Sequence, residues 1–197
     1  MEVLNVNKMK KSLTGIVIAV SAILALAGCS SSTPNVSLEP DYPAYESVKA
    51  LSAEADLIVE VVIGDSADDV LTPTYEGDDP ATNPLAGTDE TPDPNEGAVP
   101  ITVFDATVQT VYSGDAKTGD LIKIKQLGGM LEGTEYTVDG TTPLQKGDTV
   151  LLFLATYPDS AASILGGDAG YFTPEGDSYT SIGSTKLTVT AEELRSL

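Results

Sequence analysis

Residues 150–154 read Val-Leu-Leu-Phe-Leu, five consecutive apolar residues that follow the turn dipeptide Gly147-Asp148. An apolar run this short, bounded by a turn, is typical of a strand that is buried on both faces. Residues 57–63, LIVEVVI, have the same character, because they are rich in β-branched residues and are followed by the turn dipeptide Gly64-Asp65. These two stretches predict the centre of a β-sheet core.

The stretches around this core alternate apolar and polar residues. Residues 101–112, ITVFDATVQTVY, and residues 121–127, LIKIKQL, show the period of two that a half-exposed strand requires. Residues 45–55 have helical spacing, and residues 190–193, TAEE, form a capping box that opens a short C-terminal helix. Turn dipeptides separate the strands at close intervals. The sequence therefore predicts a mainly β fold, a small and partly open OB-like β-barrel of five to seven strands with short flanking helices.

The N-terminus has the pattern of an export signal. Three lysines precede the uncharged apolar run 13–27, which is shorter than the ~20 residues that a membrane-spanning helix needs. This run ends in Leu26-Ala27-Gly28-Cys29, which resembles the lipobox of bacterial lipoproteins at all four positions. The resemblance implies cleavage between Gly28 and Cys29 and a diacylglyceryl group on the Cys29 thiol. Two acyl chains anchor a protein to a membrane far more firmly than one chain does.

Three segments follow from these patterns. Residues 1–28 are predicted to be a lipoprotein signal peptide in the form of a signal helix, and residues 29–44 a flexible tether that is polar and rich in proline. Residues 45–197 are predicted to form the barrel domain. Within it, residues 64–99 are acidic, contain five prolines and lack Lys and Arg, which predicts a disordered insertion.

Three pieces of the barrel domain resemble a group of uncharacterised exported bacterial proteins. They are Ala55-Asp56-Leu57-Ile58-Val59, then residues 108–114, VQTVYSG, and then Leu144-Gln145-Lys146-Gly147-Asp148 before the VLLFL strand. The pattern is also similar to the OB-type barrel of netrin-like and metalloproteinase-inhibitor domains. Because these pieces are turns and core strands, the resemblance implies a fold and not an activity. Those inhibitors use a free N-terminal cysteine amine and several disulfides, whereas here Cys29 is the only cysteine.

The composition excludes several classes of function. The chain has 30 acidic and 10 basic residues and a net charge of −20, which repels nucleic acid. It has no His, so it lacks Ser-His-Asp and Cys-His catalysis and zinc sites built on His. Its one cysteine excludes an internal disulfide or a CxxC site. No nucleophile motif remains, and we expect a protein that is not an enzyme.

Candidate site residues other than Cys29 are few. Two acidic doublets, Asp68-Asp69 and Asp78-Asp79, are weak candidates for cation binding, although calcium needs six to eight converging oxygens and no EF-hand-type loop is present. Apart from these doublets no metal ligands are predicted, and the lipid on Cys29 is the only predicted prosthetic group. The aromatic residues are candidates for a binding face, because OB-type barrels bind ligands on one open side. Of these, the pair Tyr171-Phe172 lies beside glycines and is the preferred candidate.

These observations predict a lipid-anchored protein of the cell envelope that binds an envelope or extracellular protein without catalysing a reaction. The expected location is the outer side of the cell membrane, or the periplasm or outer membrane in a Gram-negative cell. A small cation-dependent module or an envelope hydrolase is the alternative function.

Overall fold

The structure is a computed structural model, and it describes residues 33–72, 79, 83, 85–89 and 97–197. The predicted signal peptide and Cys29 lie outside these residues. The prediction of a mainly β fold is confirmed. Eleven strands, two short α-helices and one 3₁₀ turn are present in the described part of the chain. The strands are β1 (Asn35–Leu38), β2 (Leu57–Leu71), β3 (Val99–Ser113), β4 (Leu121–Leu127), β5 (Gly129–Leu131), β6 (Thr134–Val138), β7 (Thr149–Tyr157), β8 (Ser160–Ile164), β9 (Tyr171–Glu175), β10 (Ser178–Ser181) and β11 (Thr188–Thr190). The helices are α1 (Val48–Glu54) and α2 (Ala191–Leu194).

Five strands close into a ring in the order β2-β3-β4-β8-β7, and β7 pairs with β2 again. Four of the five junctions are antiparallel, and the β4–β8 junction is parallel. This junction has only two residue pairs, Ile124 with Ala162 and Lys125 with Ser163, so the ring is least closed here. A five-stranded, partly open ring agrees with the small, partly open β-barrel that the sequence predicted.

The two faces of the central strands contact two separate cores. In β7, Val150, Leu152 and Leu154 belong to the inner core, to which all five strands of the ring contribute. Leu151 and Phe153 point to the opposite side and belong to an outer core under α1, β9–β11 and α2. A strand buried on both faces has no polar alternation. This is why residues 150–154 are apolar without interruption.

Both predicted helices are present. Ser47 caps α1 by accepting a hydrogen bond from the Ala50 amide. Thr190 caps α2 in the predicted capping box, in which its hydroxyl accepts from the Glu193 amide at 3.2 Å. The turn of α2 places Leu194, which is fully buried, in the outer core.

The predicted tether, residues 29–44, is not a free coil throughout. Strand β1 pairs in parallel with β6 from Asn35–Glu135 to Leu38–Val138. Together with β5, these strands form a second, three-stranded sheet. The side chains of β1 are mostly exposed, so the strand is held by backbone pairing. It therefore has no apolar periodicity that would reveal it in the sequence.

The predicted boundary of the acidic insertion at residue 64 is wrong. Strand β2 continues to Leu71, and Ser66–Leu71 pair with Val99–Phe104 of β3. A register shift between Ile63 and Ser66 absorbs Gly64-Asp65, so the chain passes through this dipeptide as a β-bulge and does not turn. Beyond the bulge β2 is exposed, and its polar composition reflects that exposure. Most of the remaining insertion lies outside the described residues.

Candidate binding groove

The doublet Asp68-Asp69 lies in β2, where neighbouring side chains point to opposite faces. Asp68 Oδ1 accepts a hydrogen bond from the Met130 amide at 3.0 Å, whereas Asp69 Oδ1 accepts from the Val70 amide at 2.8 Å. The two carboxylates therefore do not converge on one ion. Asp78 lies outside the described residues, and the carbonyl of Asp79 accepts from the Asn83 amide. No group of three Cys, His, Asp or Glu side chains in the described residues is placed to hold a metal.

The pair Tyr171-Phe172 does not form an open binding face. Tyr171 is 4% exposed in the inner core, and Phe172 is fully buried in the outer core, where its ring lies 5.1 Å from that of Phe153. Burial raises the pKa of Tyr171, with Asp148 and Asp168 adding to the effect. Both aromatic residues are therefore core residues. The nearby glycines allow the chain to lie close to the barrel.

A groove runs over the outer face of β3 and β4. Register pairs Val103 with Lys125 and Asp105 with Lys123 across the two strands, which places these four side chains on one face. The end of β2 and the β7–β8 turn at residues 157–160 border this face. The groove has a volume of about 810 Å³.

Apolar side chains in the groove are exposed to solvent. Tyr157 is 46% exposed, Leu71 39% and Val70 37%. Exposed apolar side chains that cluster in one concavity mark binding sites more often than scattered ones do. In the sequence, Tyr157 stands directly before the turn residues Pro158-Asp159. An aromatic residue at such a turn is the sequence feature that could have indicated the groove.

The two lysines of β4 differ in their environments. Lys123 is exposed and forms an ion pair with Asp105 at 2.9 Å. Lys125 is half-buried, and burial lowers the pKa of its ammonium group. Its Nζ donates a hydrogen bond to Ser160 Oγ at 2.8 Å and lies 4.2 Å from the centroid of the Tyr157 ring, a cation–π contact. The end of β7 and the start of β8 thus hold the Lys125 side chain in the groove.

A smaller cavity adjoins the groove at the weakly closed β4–β8 junction. It has a volume of about 180 Å³ and shares Leu71, Ile101, Lys125 and Ser163 with the groove. Its lining is mainly apolar. Thr141 also lines it, and the Thr141 hydroxyl is buried without a hydrogen-bond partner in the described residues. Gln126 helps to fix this wall, because its side chain accepts from the Leu144 amide at 2.9 Å and donates to the Thr142 carbonyl at 3.1 Å.

A polar cluster lies at the outer core. Tyr179 donates a hydrogen bond to Glu60 at 2.5 Å, and the hydroxyls of Tyr179 and Tyr112 are 2.9 Å apart. Burial, followed by the hydrogen bond to Glu60, raises the pKa of Tyr179 strongly. The guanidinium of Arg195 lies over the Tyr112 ring at 5.9 Å. The side chains of this cluster satisfy one another's hydrogen-bonding groups. Their hydrogen bonds join β2, β3 and β10.

No family model matches the chain, and no curated protein or solved structure is similar to it at a significant level. Among the described residues, no helix is both long enough and apolar enough to cross a membrane.

Proposed function

We propose that this protein is a lipid-anchored component of the cell envelope that binds a partner through the groove over β3 and β4. The observation that carries the proposal is the clustering of Tyr157, Leu71, Val70 and the half-buried Lys125 in one groove. Apolar contact area with a few placed polar groups is the composition of binding sites in general. Binding without catalysis agrees with a chain that has no His and no nucleophile motif.

The lipid anchor rests on the sequence. The basic residues, the apolar run 13–27 and Leu26-Ala27-Gly28-Cys29 occur in the order that lipoprotein processing requires. An anchored domain searches for partners near the membrane surface, which raises their effective concentration. The anchor and the groove are thus two separable parts of one proposal.

Mass spectrometry of the protein extracted from membranes tests the anchor. We expect an N-terminal peptide that begins at Cys29 and carries acyl chains on the sulfur. A Cys29→Ser variant should keep residues 1–28 and carry no lipid, whereas Ser30→Ala should be processed normally. A wild-type protein that retains residues 1–28, or an unacylated Cys29, would contradict the anchor.

Photo-crosslinking in intact cells tests the groove. A photoreactive amino acid is placed at Val103 in the groove or at Lys49, an exposed residue of α1. We expect a discrete adduct from position 103, none from position 49, and loss of the adduct when Leu71→Glu is added. Equal adducts from both positions, or an adduct that Leu71→Glu does not change, would show that the groove is not the binding site.

A further inference from the structure

Lys125 differs from every other basic residue in the described part of the chain. It is the only one of them that is half-buried, since the other lysines and Arg195 are exposed. Lys123 and Lys146 are paired with Asp105 and Asp65. Lys125 has no carboxylate within ion-pair distance in the described residues, although the chain has three acidic residues for each basic one. Its one hydrogen bond goes to the neutral hydroxyl of Ser160.

An ammonium group has three N–H donors, and a hydrogen bond from it to an anion is about twice as strong as one between neutral groups. With one donor on Ser160 and the Tyr157 ring beside it, Lys125 can still bind an anionic acceptor that enters the groove. Lys125 supplies a single positive charge in a chain whose overall field repels anions. An anion therefore needs further favourable contacts to stay bound at this site.

The adjoining cavity supplies those contacts. Ile101, Leu127 and Ile164 make its lining apolar, and Lys125 lines both the cavity and the groove. A cavity of about 150 Å³ with aliphatic walls holds a group the size of benzene. At about 180 Å³, the cavity accommodates one aliphatic side chain. The site thus offers a cation and an apolar cavity side by side.

We propose that the groove binds the free C-terminus of a peptide chain, with the terminal carboxylate on Lys125 and an aliphatic last side chain in the cavity. The inference rests on the proposed function and names the chemistry of the partner. The groove is long enough to hold further residues, and Asp69 and Asp159, which also line it, favour basic residues upstream of the terminus. A partner of that kind is also attracted by the net charge of the domain.

Fluorescence anisotropy with the full chain in detergent micelles tests this proposal. The probe is a labelled pentapeptide Gly-Ser-Lys-Val-Leu with a free carboxylate, compared with the same peptide as a C-terminal amide. We expect saturable binding of the acid and binding at least about tenfold weaker for the amide, the effect of one charge-assisted hydrogen bond. A peptide ending in Asp should also bind at least about tenfold more weakly, because its side chain is charged.

Substitutions of a lysine inside the groove and of one outside it provide the matched comparison. Lys125→Met keeps an unbranched stem against Tyr157 and removes the charge, so affinity for the acid should fall at least about tenfold. Lys49→Met removes an exposed cation of α1 that does not line the groove, and should change affinity less than about twofold. Lys125→Arg should retain binding within about threefold. Thermal unfolding of each variant identifies any that fails to fold. In that case the affinities of the wild type for the peptide acid and for the peptide amide decide whether the carboxylate is bound.

The outcomes separate this inference from the proposed function. Equal affinity for acid and amide, or no binding of the acid to the wild type, overturns the C-terminal carboxylate. If octanoate binds and its binding requires Lys125, while the peptides do not bind, the occupant is a fatty acid and the peptide proposal is wrong. In each of these cases a groove-dependent adduct at position 103 leaves the proposed function standing, whereas loss of that adduct removes both.

Discussion

The hydroxyl of Tyr179 lies 2.5 Å from Oε2 of Glu60 and joins β10 to β2 across the outer core. Glu60 also accepts a long hydrogen bond from Thr110 at 3.5 Å. A carboxylate that is half-buried needs such donors, because losing one leaves it poorly solvated. This contact therefore stabilises the packing of the β9–β11 strands on the barrel.

Tyr179→Phe removes the donor and keeps the ring in the outer core. We expect the free energy of unfolding to fall by about 1–3 kcal/mol, since the Glu60 carboxylate loses its best hydrogen bond. Chemical denaturation measures this change. Tyr157→Phe is the matched control, because the Tyr157 side chain is 46% exposed and its hydroxyl has no partner in the described residues. A loss of less than about 0.5 kcal/mol for Tyr179→Phe would show that the contact does not contribute.

The raised pKa of Tyr179 predicts how the stability of the protein changes at high pH. Burial and the bond to Glu60 raise the pKa of Tyr179 above its ordinary value, so the folded state keeps the phenolic proton that the unfolded state releases above about pH 10. Because the unfolded state then binds fewer protons, stability falls as pH rises through this range. Unfolding measured from pH 8 to 11 should show a steeper decline for the wild type than for Tyr179→Phe. Parallel curves would contradict the prediction.

Gly114, directly after β3, lies against the start of β2. Its φ is +97°, and a Cβ there would be 2.4 Å from the Asp56 carbonyl oxygen. Gly114→Ala combines an unfavourable backbone conformation with a clash against backbone, and we expect it to cost about 3 kcal/mol or more. Gly119 has a similar φ of +92° but open space around it, so Gly119→Ala should cost only about 1–2 kcal/mol. Denaturation of both variants measures the difference, and equal losses would exclude the close contact as the cause.

Thr141 and Thr142 form a second matched pair. The Thr141 hydroxyl is buried without a partner in the described residues, so Thr141→Val should raise the free energy of unfolding by about 1 kcal/mol. The Thr142 hydroxyl donates to Asp168 at 2.9 Å, so Thr142→Val should lower it by about 1 kcal/mol. Thermal unfolding gives the sign in each case. A destabilised Thr141→Val would mean that this hydroxyl has an acceptor when the protein is in solution.

Much of the core could be read directly from the sequence. Residues 57–63 and 150–154 form the centre of the ring, and Thr190 begins the C-terminal helix as predicted. These predictions succeed because apolar periodicity and capping chemistry are local properties. The prediction for Tyr171 and Phe172 failed because a tyrosine or phenylalanine beside glycines occurs both in exposed loops and in close-packed ones, and only the packing of β9 on β7 distinguishes the two.

The sequence by itself determined the mainly β fold and the centre of the barrel, because each of these depends on residues that are neighbours in the chain. The lipid anchor at Cys29 is a proposal that rests on the sequence alone. The tertiary structure decided the pairing of β1 with β6, the extension of β2 to Leu71 and the site formed by Lys125 and Tyr157. The first two depend on backbone hydrogen bonds, which any side chain permits. The third joins residues 32 positions apart, which only the closure of β4 on β8 and β7 brings together.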